Sequence, residues 1–126
     1  MLYKNILLID DDEDDQEIFL SAVNEIADNI NCSAIGNAAE ALKKLESKTI
    51  IPEVIFLDLN MPVMSGQQFL IEIKKNSQLQ NIPIIIFSTS SHIETIRLMK
   101  ELGAHDFITK PNKYDKLIDV LKNTLS

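Results

Sequence analysis

Three short runs of consecutive apolar residues constrain the fold of this chain more than any other feature. They occupy residues 6–9, 54–57 and 84–87. Each run is shorter than a typical helix and contains β-branched side chains, which favours a strand that is buried on both faces. A strand with one face in water would instead alternate apolar and polar residues. The three runs therefore predict a parallel sheet that is covered by helices on both sides.

Amphipathic segments lie between and after these runs. Apolar residues recur at helical spacing within residues 18–26, 38–45, 69–73, 96–102 and 117–125. Two more strands are predicted at 33–35 and 107–109, acidic residues 13–15 suit a helix start, and Ser91 with Glu94 predicts a capping box. Strand and helix thus alternate five times. With right-handed crossovers, this order predicts a doubly wound α/β fold.

Polar side chains collect at the carboxyl ends of the predicted strands. The first strand ends on Asp10 and Asp11, the third on Asp58, the fourth on Ser88 and the fifth on Lys110. Because the carboxyl ends of parallel strands meet at one edge, we expect these residues to lie together where doubly wound folds bind ligands. Three neighbouring carboxylates repel one another unless they share a cation or hold a proton.

The chemistry of such a cluster points to phosphoryl transfer. Mg²⁺ takes oxygen ligands, combining one or two carboxylates with waters and phosphate oxygens. A carboxylate beside Mg²⁺ and a lysine is able to attack a phosphoryl group and form an aspartyl phosphate. Lys110 would neutralise charge on the transferred group, and the Ser88 hydroxyl would donate a hydrogen bond to it. Catalysis would then consist mostly of positioning and electrostatics.

The chain resembles the receiver domains of two-component response regulators, in the single-domain form of the chemotaxis regulators. The resemblance covers residues 4–125. It is carried by Ile9-Asp10-Asp11, Leu57-Asp58-Leu59-Asn60-Met61-Pro62 with Gly66, Ser88, and Lys110-Pro111. It implies one receiver domain over residues 1–126. It also implies a flavodoxin-like, five-stranded parallel sheet of order 2-1-3-4-5 with helices on both faces.

The resemblance also implies a role for each residue of the predicted site. Asp58 is similar to the phosphoacceptor, Ser88 to the switch hydroxyl that moves toward the phosphoryl group, and Lys110 to the lysine that contacts it. Phe107 matches an aromatic position that swings inward on activation, although plain core packing explains it equally well. The implied Mg²⁺ ligands are Asp10, through water, with Asp11, Asp58 and the main-chain carbonyl of Asn60.

Three details depart from the usual receiver pattern or allow more than one reading of it, and a fourth is a further point of resemblance. Phe107 stands where many relatives have tyrosine, so a switch there would lack a hydroxyl. The long acidic run allows a second metal register, Asp11 with Asp12. Residues 48–52 lengthen a connection as in stand-alone regulators associated with phytochrome-type and other hybrid kinases. The Lys110–Pro111 bond is one at which the family often has a cis peptide.

Composition restricts the partners and the compartment. The net charge of −7 and the scattered cations argue against nucleic acid or an anionic membrane surface. No apolar run approaches the roughly 20 residues of a membrane span, and the N-terminus lacks the features of a signal peptide. The single cysteine, Cys32, favours a reducing compartment, so we expect a cytoplasmic location. The chain ends just after the last helix, and we expect no output domain.

The sequence therefore predicts a two-component signalling switch and not a turnover enzyme. A sensor histidine kinase or a histidine phosphotransfer protein would supply the phosphoryl group. The domain would catalyse only its own phosphorylation and dephosphorylation. It would signal to a downstream protein, by interaction or onward phosphotransfer, as a monomer or as a weak dimer formed on activation.

Three other functions make different demands on the same fold. An aspartate-nucleophile phosphatase needs a second acid two residues after the nucleophile, where this chain has Asn60. A flavin- or nucleotide-binding module needs a phosphate-binding loop rich in Gly, Ser or Thr after the first strand. This chain has consecutive acids there, which would repel phosphate. A degenerate receiver that only binds partners would not need the full set of site residues.

Overall fold

The structure is a computed structural model that describes residues 3–89 and 92–125. Strands and helices alternate along the chain. The strands are β1 (Asn5–Ile9), β2 (Asn31–Ile35), β3 (Val54–Leu57), β4 (Ile84–Ser88) and β5 (Asp106–Thr109). The helices are α1 (Glu13–Ile26), α2 (Ala38–Glu46), α3 (Gly66–Lys75), α4 (Ile93–Glu101) and α5 (Tyr114–Leu125). Ser91, for which the sequence predicts a capping role, lies outside the described residues.

The sheet has the predicted topology. Its five strands run parallel in the order β2-β1-β3-β4-β5. This order confirms the doubly wound, flavodoxin-like fold. All four residues of β3 are fully buried, and the strand lies at the centre of the sheet. Asp58 follows β3 directly and is therefore held in the middle of the carboxyl edge.

The sheet separates two hydrophobic cores, which explains why its central strands are apolar on both faces. One core packs α2, α3 and α4 against the sheet and includes Phe69 and Met99. The other lies under α1 and α5, where Phe19, Phe56 and Phe87 meet edge to face. Their ring centroids are separated by 5.0, 5.6 and 6.1 Å.

The weakly predicted edge strands are longer than the sequence pattern indicates. β2 begins at Asn31, whose N–H donates to the carbonyl of Lys4 over 2.7 Å, and β5 begins at Asp106. Edge strands are half-exposed, so polar residues extend them without disturbing the core. The described residues contain no cis peptide bond, and the Lys110–Pro111 bond is trans. Across the same ranges no helix combines the length and apolarity that a membrane crossing requires.

Candidate functional site

Three carboxylates converge at the carboxyl edge of the sheet, as the strand ends predict. One oxygen from each of Asp10, Asp11 and Asp58 lies within 4.8 Å of the other two. Asp10 and Asp58 are buried, with exposed fractions of 1% and 7%, whereas Asp11 faces solvent. Backbone hydrogen bonds continue past the strand ends and fix both buried acids: Asp10 N–H donates to Ile35 over 3.1 Å, and Asp58 N–H to Ile9 over 3.0 Å.

The ammonium of Lys110 lies among the acids. Its Nζ is 2.7 Å from Asp10 Oδ2, 2.9 Å from Asp15 Oδ2 and 3.9 Å from Asp58 Oδ2. The Lys110 N–H donates to the carbonyl of Ser88 over 2.8 Å, which places the lysine next to the end of β4. Ser88 is itself fully buried. A single ammonium is thus shared among three carboxylates, and the predicted Ser88 lies on the neighbouring strand.

The electrostatics of Asp58 reflect this shortage of positive charge. Burial raises the pKa of Asp58 to about 6. The nearby charge of Lys110 opposes the rise, and the charge of Asp10 reinforces it. The Asn60 N–H reaches Asp58 Oδ1 only at 3.5 Å, so it does little to lower the pKa. A further cation close to Asp58 would stabilise its ionised form.

Lys110 responds in the opposite sense. Burial acts to lower its pKa, but hydrogen bonds to Asp10 and Asp15, with the charge of Asp58, outweigh burial and raise the pKa. The lysine therefore remains a fully charged ammonium at neutral pH. It is able to bind an anion, provided that it exchanges one of its carboxylate partners.

The start of α1 gives Asp12, a member of the second possible metal register, a structural role. Asp12 is the N-cap residue, and its Oδ1 accepts hydrogen bonds from Asp14 N–H at 2.9 Å and Asp15 N–H at 3.1 Å. Its own N–H donates to Asp10 Oδ1 over 3.0 Å. Asp12 thus completes the helix terminus, and Asp11 is the exposed acid that joins the carboxylate cluster.

The loop after β3 needs Gly66 for a steric reason. A Cβ at this position would lie 2.3 Å from the carbonyl oxygen of Asp58 and 2.8 Å from Leu59 Cα. The Gly66 N–H also donates to the Leu59 carbonyl over 3.1 Å. The glycine therefore lets α3 begin directly against the backbone that carries Asp58. Val63, 90% exposed in the same loop, has a φ of +68°, which is strained for a β-branched residue.

One contact of the site does not follow from the sequence argument. Asp15 is explained there by helix initiation alone, whereas the structure brings its carboxylate to Lys110. The sequence pattern carries no signal for this contact, because it joins residues that are 95 positions apart. Phe107 is partly buried against the core that contains α4. That position fits core packing, and the switching role of Phe107 stays a prediction. Binding of Mg²⁺ by the main-chain carbonyl of Asn60 also stays a prediction.

Sequence comparison identifies the family to which this fold and edge belong. A family model described as the response regulator receiver domain matches residues 6–122. The chain therefore belongs to the receiver domain family of two-component response regulators, which are signalling modules.

Two curated relatives show how the match extends. The chain is 32% identical over 116 residues to the two-component response regulator ORR8 of Oryza sativa subsp. indica, covering 92% of this chain and 91% of ORR8. It is 32% identical over 117 residues to the probable C4-dicarboxylate response regulator DctR of Bacillus subtilis (strain 168). That match covers 93% of this chain and 50% of DctR, so the chain spans half the length of that relative.

Solved structures agree with the topology. The phosphorylated cyanobacterial phytochrome response regulator RcpA superposes with a TM-score of 0.88 at 27% identity, over 97% of this chain and 91% of RcpA. The Mn²⁺-bound form of the response regulator Rcp1 gives 0.85 at 25% identity, over 95% and 90% of the two chains.

Proposed function

We propose that this receiver domain is a phosphorylation-dependent switch in which Asp58 accepts a phosphoryl group while Mg²⁺ is bound. One observation carries the proposal: Asp58 is buried within 4.8 Å of two other carboxylates and 3.9 Å from the Lys110 ammonium. The raised pKa of Asp58 supports it, because burial disfavours the carboxylate and a bound cation would favour it.

The donor atoms suit a hard divalent cation. We assign Asp10, Asp11, Asp58 and the main-chain carbonyl of Asn60 to Mg²⁺, and an all-oxygen set is what this ion prefers. The capping role of Asp12 supports the Asp10 and Asp11 register. Bound Mg²⁺ would neutralise charge between the acceptor and the phosphoryl oxygens. The similarity to Rcp1, which holds Mn²⁺, points the same way.

The proposed reaction uses the acceptor as a nucleophile. A carboxylate oxygen of Asp58 attacks the phosphorus of a phosphohistidine on a sensor histidine kinase or a histidine phosphotransfer protein. The O–P bond forms as the N–P bond breaks, and the imidazole keeps the electron pair and takes up a proton. Lys110 and the Ser88 hydroxyl then bond the phosphoryl oxygens. Attack of water on phosphorus later releases phosphate and restores Asp58.

The new charge at Asp58 would be transmitted as a change of packing. Ser88 would move toward the phosphoryl group, and Phe107 would repack against the neighbouring core. The face formed by α4, β5 and α5 would then change its affinity for a downstream protein, or the phosphoryl group would pass onward. Ile93 and Leu98 on α4 are 65% and 39% exposed and would meet such a partner. We also propose that the protein acts in the cytoplasm, either as a monomer or as a weak dimer that forms on activation.

Intact mass spectrometry after incubation with phosphoramidate tests this proposal. We expect one added phosphoryl group on the wild type with Mg²⁺, and none with EDTA or in Asp58→Asn. Glu53→Gln, a change to an exposed acid at the other end of β3, is expected to be labelled like the wild type. Labelling of Asp58→Asn, or labelling of the wild type in EDTA, would contradict the assignment. No adduct from phosphoramidate or from a phosphorylated histidine donor would indicate a receiver that only binds partners.

A further inference from the structure

The Lys110 ammonium is held mainly by acids other than the proposed acceptor. Its hydrogen bonds go to Asp10 at 2.7 Å and to Asp15 at 2.9 Å, whereas Asp58 lies 3.9 Å away, beyond hydrogen-bond distance. Asp10 belongs to the carboxylate cluster, so a cation bound there would compete with the lysine for it. Asp15 lies outside that cluster, and no such competition weakens its hold on Lys110.

The position of Asp15 is fixed by α1 and not by the site. The Asp15 N–H donates one of the two hydrogen bonds that the side chain of the N-cap residue Asp12 accepts. The Asp15 side chain is 39% exposed. Lys110 is far less exposed, at 11%. A partly exposed pair of this kind is weak, so it biases the position of the lysine without fixing it. Exchange of Lys110 from Asp15 to an incoming anion therefore costs a small but measurable amount.

We propose that Asp15 is a positioning residue that holds the Lys110 ammonium on the α1 side of the site and so restrains phosphorylation of Asp58. The inference rests on the proposed function and deepens it. Lys110 must turn from Asp15 toward the phosphoryl oxygens before it neutralises them. Removal of the Asp15 charge makes the ammonium available from the start, and the rate of phosphoryl uptake rises.

The test compares Asp15→Asn with Asp14→Asn, which removes the same charge from the same turn of α1. Asp14 is exposed, and its side chain has no polar contact among those described. With phosphoramidate and saturating Mg²⁺, we expect Asp15→Asn to be phosphorylated about three- to fivefold faster than Asp14→Asn. Asp15→Glu keeps the pairing and is expected to return to the wild-type rate. In a Lys110→Gln background, Asp15→Asn is expected to have no effect.

A second measurement does not depend on phosphorylation. The ¹H–¹⁵N NMR signal of the Lys110 ammonium is expected to exchange faster with water in Asp15→Asn, since the acceptor of one of its two hydrogen bonds loses its charge. Equal phosphorylation rates for Asp15→Asn and Asp14→Asn, with a labelled wild type, would overturn this inference alone. A persistent Asp15→Asn effect in the Lys110→Gln background would overturn it too. A wild type that takes no phosphoryl group would instead overturn the proposed function, and this inference with it.

Discussion

Glu53 precedes β3 and Asp58 follows it, so two acids bracket the same buried strand. Glu53 is exposed, and its Oε1 accepts hydrogen bonds from Lys4 N–H at 2.6 Å and Asn5 N–H at 2.8 Å. These backbone hydrogen bonds lower the pKa of Glu53. Asp58 is buried with one weak backbone contact, and its pKa is raised to about 6. A carboxylate thus accepts two short hydrogen bonds before the strand, whereas the carboxylate after the strand accepts one weak backbone hydrogen bond.

The contrast separates an acid that stabilises the fold from an acid that the fold holds for a ligand. Glu53 ties β1 to the start of β3, and its negative charge is met by N–H donors and water. Among the described residues, the charge of Asp58 is met by a weak contact from the Asn60 N–H and by a lysine shared with Asp10 and Asp15. Such a charge lowers stability in the absence of a cation and becomes favourable when one binds.

The largest effect is expected from closing the space at Gly66. We expect Gly66→Ala to lower the free energy of unfolding by about 3 kcal/mol, because its Cβ would overlap the Asp58 backbone. Urea denaturation measures the change. Gly36→Ala is the control, since a Cβ there meets its nearest atom at 3.4 Å and should alter stability by less than about 1 kcal/mol. Equal losses of unfolding free energy in the two variants would contradict the steric role of Gly66.

The second effect concerns the ionisation of Asp58. The native pKa is raised from 3.8 to about 6, so the native state binds more protons than the unfolded state between these values. The contribution of Asp58 to stability without divalent cations is therefore fully present below about pH 4 and is lost as the pH rises through about 6. We expect Asp58→Asn to exceed the wild type by about 2 kcal/mol at pH 8 and to match it near pH 3.5. Denaturation in EDTA at both pH values measures this. A gain that did not vary with pH would contradict the raised pKa.

The third effect is a release of backbone strain on the carboxyl side of β3. Val63 and Lys48 both have positive φ values, of 68° and 60°. Lys48 lies before β3 and is not β-branched. We expect Val63→Gly to raise stability by about 1 kcal/mol and Lys48→Gly by less, because a branched Cβ makes this conformation more costly. Thermal unfolding of both variants measures the difference. A larger gain for Lys48→Gly than for Val63→Gly would show that the greater strain does not lie beside the site.

The smallest effect is expected at Glu53. Its pKa is lowered, so its contribution to stability is present above about pH 5 and is lost as the pH falls through its native value. We expect Glu53→Gln to be slightly less stable than the wild type at pH 7 and to lose this difference as the pH falls through the native pKa of Glu53, which is opposite in sign to Asp58→Asn. Paired pH series of the two variants check the sign. A stability difference from the wild type that changes in the same direction with pH in both variants would contradict the contrast between Glu53 and Asp58.

The order of elements could be predicted from the sequence because the central strands are buried on both faces and lack alternation. The meeting of Asp10, Asp11 and Asp58 followed from their places at strand ends. The hydrogen bonds of Asp15 and Glu53 could not be predicted, since both depend on side-chain directions set by tertiary packing. The extra residues of β2 and β5 were also missed, because edge strands tolerate polar residues.

The most direct test of the account is the identity of the modified residue. Borohydride reduces an aspartyl phosphate to homoserine, and tandem mass spectrometry of the peptides then locates it. After phosphorylation with Mg²⁺, we predict homoserine at position 58 and unchanged acids at positions 10, 11, 15 and 53. Homoserine at Asp10 or Asp11, or a stoichiometric phosphoryl adduct that yields no homoserine, would contradict the claim that the fold holds Asp58 for phosphorylation.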